Sequence, residues 1–145
     1  MVSIITEIRE CFRSKQNAIG ALCTAFYKEY GDKIIPIISD TAQSHTPYHL
    51  PQVKALSGKG MKALGEYIGS FPVVEILTST EDMVHFQTKG TCPYGLNDTS
   101  KELCEAIMIF DRKAFDTIVG KEVRMEIIQC LASGDGYCEV KVSSK

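Results

Sequence analysis

The chain has 145 residues, 44% of them hydrophobic and 23% charged, with a formal net charge of −2. That length and composition predict one soluble globular domain over residues 1–145, large enough to bury roughly 70% of the unfolded chain's surface. The near-neutral charge, with no Lys/Arg cluster interleaved with aromatics, argues against a nucleic-acid partner, and no apolar run nears the ~20 residues that span a bilayer.

The opening MVSIITEIRE turns charged at once and lacks the sustained apolar core of a secretory signal, so a cytoplasmic location is expected. From Ile4 to Tyr30, the apolar positions Ile4, Ile8, Phe12, Ile19, Leu22, Phe26 and Tyr30 recur in three- and four-residue steps, one face of an amphipathic helix. The polar run Arg13–Asn17 leaves open whether this is one helix or two. Cys11 and Cys23 fall on or beside the stripe and read as small core residues.

Gly31 is a helix stop, and Asp32 is a cap for a second helix through Ile34, Ile35, Ile37 and Ile38, with Pro36 in its first turn. His45 to Pro51 form a loop, because two prolines disfavour regular structure. His45 and His49 are four apart, but Pro47 lies between them and no Glu follows the first, so this is not the zinc-protease helix motif. Val53, Leu56, Gly60, Leu64 and Tyr67 predict a third helix closing near Gly69. Its SGKG lacks the spacing and the preceding strand of a phosphate loop.

Phe71–Leu77 and Met83–Lys89 read as two strands joined by the turn Thr78–Asp82, with His85 on the polar face. A long helix follows Cys92. Thr99 and Glu102 form its capping box, Gly120 its stop, and Leu103, Ile107, Phe110, Ala114 and Ile118 the stripe that meets the sheet. Cys104, Met108, Asp111 and Phe115 run just beside that stripe. Cys104 and Asp111 are thus two turns apart, about 10 Å along the axis, on one flank. A carboxylate there either pairs at the surface or suffers desolvation, which raises its proton affinity.

The last segment is a β-hairpin around Ser-Gly-Asp-Gly. Centring the turn on Gly134 sets Cys130 opposite Cys138, within reach of one metal or one disulfide. The same pairing puts Glu126 on a face with Val140 and Val142, which calls for a bulge. Six cysteines without a secretory signal and without a CxxC pair favour reduced thiols, metal ligands or redox groups over a disulfide framework.

The pattern KGTCPYG…ELC……D followed by SGDGYCEV resembles the L-2-amino-thiazoline-4-carboxylic acid hydrolase family. It also resembles the related four-vinyl reductase domain, a small-molecule-binding module, through Glu126, Cys130, Gly134, Asp135 and Cys138. The resemblance implies an α+β domain: amino-terminal helices and one long central helix packed on an antiparallel sheet of about four strands, often as a dimer.

The hydrolase likeness implies ring opening of a cyclic amidine-like thiazoline by water and picks out Cys92, Cys104, Asp111 and Cys138. Asp111 would be the general base or hold the amidine cation, and Cys92 or Cys104 would be a nucleophile or a metal ligand. The four-vinyl reductase likeness adds Cys130 and implies a non-catalytic ligand, metal or redox sensor. In that reading Cys92, Cys104, Cys130 and Cys138 hold zinc or iron. A third reading has most of the cysteines simply packing. The expected partners are a small-molecule ligand and a second copy in a homodimer, because three amphipathic helices on a small sheet leave an apolar face uncovered.

Overall fold

The computed structural model describes residues 18–45 and 50–145. The apolar positions Ile4, Ile8 and Phe12, Cys11, the polar run Arg13–Asn17, Pro47 and His49 lie outside those residues. Among the described residues, no helix is long and apolar enough to cross a membrane.

Helix α1 covers residues 18–30. A 3₁₀ turn, Gly31–Ile34, leads into α2 (Ile35–Ser44), with Pro36 tolerated in its first turn. The expected third helix is two pieces, α3 (Pro51–Ala55) and α4 (Met61–Gly69). They are parted by Gly58 and Gly60 at φ 72° and 89°, a conformation that helix-forming residues avoid. The amides freed there are not available to a phosphate. Gly58 N–H donates to Thr117 O at 3.0 Å and Gly60 N–H to Ile118 O at 3.2 Å, so SGKG is the receptor for another helix's end.

Strands β1 (Val74–Ser79) and β2 (Met83–Thr88) form the first hairpin, and β1 starts three residues later than the apolar run suggested. Phe71 instead stacks edge-on against Tyr67, with ring centroids 5.3 Å apart. The long central helix is two segments, α5 (Lys101–Ile107) and α6 (Ile109–Val119), with a corner at Met108, where ψ is −3°. The hydrogen-bond ladder continues through that corner, from Met108 N–H to Cys104 O and from Arg112 N–H to Met108 O, both 2.9 Å. Ser100, not Thr99, is the cap: its Oγ accepts from Leu103 N–H at 3.1 Å. Thr99 turns away and bonds Ala132 O through its N–H and its hydroxyl. Gly120 ends α6 as expected.

β3 (Val123–Gln129) and β4 (Cys138–Ser144) complete a four-stranded antiparallel sheet in the order β1-β2-β4-β3. The α+β architecture is therefore as the sequence implied, with helices laid on one sheet face. Val84, Phe86, Val123, Ile127, Val140 and Val142 on that face join Leu64, Leu103, Ile107 and Ile118 in one core. Each fully buried Leu, Ile or Val contributes roughly 1.5–3 kcal/mol over its exposed state.

Helix α1 departs from this scheme. Its stripe Ile19, Leu22, Phe26 and Tyr30 is exposed, and Gly20, Cys23 and Tyr27 turn inward. The uncovered stripe walls an apolar groove of about 550 Å³, which continues through Lys33, Ile34, Ile37 and Ile38.

Candidate functional site

The loop between β2 and α5 carries Cys92, Pro93, Tyr94 and Gly95, tightened by a Gly95 N–H to Cys92 O bond of 2.9 Å. Helix α1 presses directly on it. A Cβ placed on Gly20 would lie 1.5 Å from Tyr94 O, so only glycine allows this approach. The loop aims the Tyr94 side chain inward, and its hydroxyl donates to Asp111 Oδ2 at 2.5 Å.

Asp111 stands in the first turn of α6. Burial pushes its carboxyl up to about 6, the Tyr94 hydrogen bond pulling the other way. No lysine, arginine or histidine among the described residues forms an ion pair with it. Burial and the Asp111 charge hold the Tyr94 phenol well above its usual range and raise Tyr67, on α4, for the same reasons. Of the two outcomes open to a carboxylate beside the stripe, Asp111 shows desolvation rather than surface pairing.

The thiols gather at the neighbouring end of the sheet. The bulge called for in β3 is there: pairing runs Ile127↔Val140, then Gln129↔Glu139, leaving Ile128 unmatched. Ile128 is exposed, Glu126 faces solvent across from Lys141, and Cys130 is fully buried. Asp135 organises the turn. Its Oδ2 accepts from Cys130 N–H at 2.8 Å, while Cys130 O accepts from the Asp135 and Ser133 amides. Cys138 Sγ accepts from Leu131 N–H at 3.3 Å.

In this arrangement, the Cys104 and Cys138 thiols lie beside the Cys130 sulfur and interact with it, while Cys92 is felt by Cys104 and Cys138 and itself feels Cys130. The Cys104 and Cys138 thiols beside it draw the Cys130 thiol below the usual range. Cys104 and Cys138 are held protonated above the usual thiol range, first by that interaction with Cys130 and then by burial. Burial also raises Cys92. Tyr94 connects the two groups, since it bonds Asp111 and feels Cys104 and Cys92 electrostatically.

Every cysteine among the described residues is a free thiol. As the side chains stand, no three His, Cys, Asp or Glu among those residues are spaced to hold a metal ion. Neither the groove beside α1 nor a second one of about 600 Å³ between the helices and β3 is lined by Asp111 or the four cysteines. His85 pairs with Glu139 (Nε2 to Oε1, 2.7 Å) on the far face of the sheet. Tyr94 and Tyr67 are the site's additional polar members, and Asp135, already among the residues of the four-vinyl reductase likeness, joins them in the turn. Tyr94 stands in the CPYG stretch, which was the one available signal.

No family model matches the chain, and no curated protein matches it. A solved structure of the phenol-responsive sensory domain of the transcription activator PoxR with phenol is 13% identical, with a TM-score of 0.50, covering 88% of this chain and 73% of that one. A trafficking protein particle complex subunit 3 from Naegleria fowleri, covalently bound to palmitic acid, is 14% identical with a TM-score of 0.39, covering 98% and 89%. The first of these likenesses is one of fold.

Proposed function

We propose that this chain is a small-molecule-binding domain whose polar anchor is Asp111, presented together with Tyr94. The observation that carries the reading is a half-buried carboxylate bonded by a tyrosine hydroxyl, with no ion-pair partner among the described residues. Such a group is costly unless something else uses it. A ligand offering an N–H or O–H donor, such as an amidine or a phenol, supplies the missing partner by taking over or extending the Tyr94 bond. A neutral thiol is a poor nucleophile, so the raised Cys92 and Cys104 thiols favour binding over covalent catalysis. Ring opening remains the catalytic extension of the same site, with Asp111, at about 6, as general base.

The test is calorimetry of wild type and Asp111→Asn with 2-amino-thiazoline-4-carboxylate and with phenol. Binding at least tenfold weaker in the variant is expected for one of the two probes. Equal affinity in both proteins, or no binding of either probe, would overturn the anchor. Mass detection of N-carbamoyl cysteine after incubation separates a hydrolase from a binder.

A second reading is favoured by the interactions of Cys130 with Cys104 and Cys138: a zinc or iron ion held by Cys92, Cys104, Cys130 and Cys138 once their side chains move from the positions seen here. Metal analysis of anaerobically purified protein should then give one equivalent per chain. Cys130→Ser would lose it, and an unchanged content would end this reading.

A further inference from the structure

Strand β3 ends the sheet, and among the described residues nothing pairs with its outer side. Two hydrogen bonds fix which backbone groups point there. Val123 N–H donates to Asp116 Oδ1, and Ser144 N–H, directly across from Val123, donates to Asp82 O. Neither amide is spent between β3 and β4, so Val123 and Ser144 form a non-hydrogen-bonded pair. Alternation along an antiparallel ladder then turns the N–H and C=O of Met125 and Ile127 to the open edge. The bulge that commonly protects an edge lies beyond this stretch, at Ile128. β1, at the opposite edge, is broken within its own run between Ile76 and Thr78.

The side chains of β3 are self-complementary. Val123 and Ile127 are buried toward the helices, with Met125 packed against the core beside them, whereas Arg124 and Glu126 are exposed on the other face. An antiparallel copy of β3 centred on Met125 sets Arg124 against the second copy's Glu126, and Glu126 against its Arg124. On the inner face, Val123 meets the second copy's Ile127, and the two Met125 residues meet each other. The Met125 pair exchanges both backbone bonds, and the Arg–Glu pairs fall at the closer, non-hydrogen-bonded positions. Beside the edge runs the groove of about 600 Å³, floored by Ile35, Ala106, Ile109 and Ile127, with room for the incoming apolar side chains.

We infer that the β3 edge is an isologous interface, at which two copies of this chain join their sheets into one eight-stranded sheet. Two-fold closure follows because the same edge serves both partners.

Arg124→Glu and Glu126→Arg are made separately, checked for folding by circular dichroism, and followed by sedimentation at micromolar concentration. Wild type is expected to be dimeric, and each variant at least tenfold weaker in self-association, since each brings like charges together twice. An equimolar mixture of the two is expected to form a heterodimer, because one chain then presents two acids and the other two arginines. Hydrogen exchange on wild type needs no variant. Protection of the Met125 and Ile127 amides should fall on dilution. A monomeric wild type overturns the inference, as does a dimer indifferent to both reversals, a mixture no tighter than its components, or edge amides whose exchange ignores concentration.

Discussion

Replacing Asp111 with asparagine keeps the side chain's size and an acceptor oxygen for the Tyr94 hydroxyl while removing the charge. In the wild type, the carboxyl rises from 3.8 to about 6 on folding, close to 2 units, or roughly 3 kcal/mol at about 1.4 kcal/mol per unit. A folded-state value above the unfolded one means that the native state holds the extra proton between those limits. This group's favourable contribution is therefore complete below pH ~4 and lost as pH rises through about 6. Asparagine has no such loss. The stability difference, variant minus wild type, should be flat in acid, climb by about 3 kcal/mol across that window, and stay flat above it.

The new amide's unmatched N–H groups subtract a constant of roughly 1 kcal/mol at every pH. Urea unfolding from pH 3.5 to 8 reads the curve. Above pH 7, the net effect is a gain of about 2 kcal/mol, or several degrees in melting temperature for a domain of this size. A difference independent of pH, or one that falls with rising pH, would refute the burial of an ionisable Asp111.

Tyr94→Phe removes the donor that lowers the Asp111 carboxyl, so the midpoint of the same pH curve should move above about 6, with a stability loss of roughly 1–3 kcal/mol at neutral pH. Gly20→Ala forces a methyl into Tyr94 O and should push α1 off the Cys92–Gly95 loop, read as earlier proteolytic cleavage near α1 and altered ligand affinity. Lys113 bonds Gln43 O and, at 2.6 Å, His45 O, closing the carbonyl end of α2. Lys113→Met should cost roughly 1 kcal/mol in urea unfolding and leave ligand binding unchanged.

Periodicity made part of this molecule readable before its coordinates. The Leu103–Ile118 stripe and the flank carrying Cys104 and Asp111 follow from helical spacing; Leu103, Cys104, Ile107, Ala114, Phe115 and Ile118 are buried, while Met108, Phe110 and Asp111, at and just past the corner, are half-buried. The bulge in β3 was legible because Glu126 otherwise shares a face with Val140 and Val142, which the register forbids. Tyr94 was not legible. It sits in an irregular loop, where no period links one residue to another, and its partner stands on a different element. The corner at Met108 had no signal either, since neither glycine nor proline marks it. For α1, amphipathicity showed that one face is apolar but not that this face would be left outside while Gly20 turned inward. A glycine contributes nothing to a hydrophobic pattern and everything to a backbone contact.

The junction of Gly58 and Gly60 with the end of α6 has a geometric consequence for the site. α6 arrives at that junction and α4 departs from it, so the two helices form the arms of a V whose apex is hydrogen-bonded backbone. Gly60 to Tyr67 along α4 and Ile118 to Asp111 along α6 are the same number of residues, about 10 Å of helix on each arm. That equality brings Tyr67 within the field of Asp111. It also makes the apex a lever: a one-degree change in the angle between the arms shifts the two side chains by roughly 0.2 Å at that radius. Because Gly58 holds its place at a positive φ, its replacement by alanine would disturb the spacing of groups two turns distant while touching neither of them.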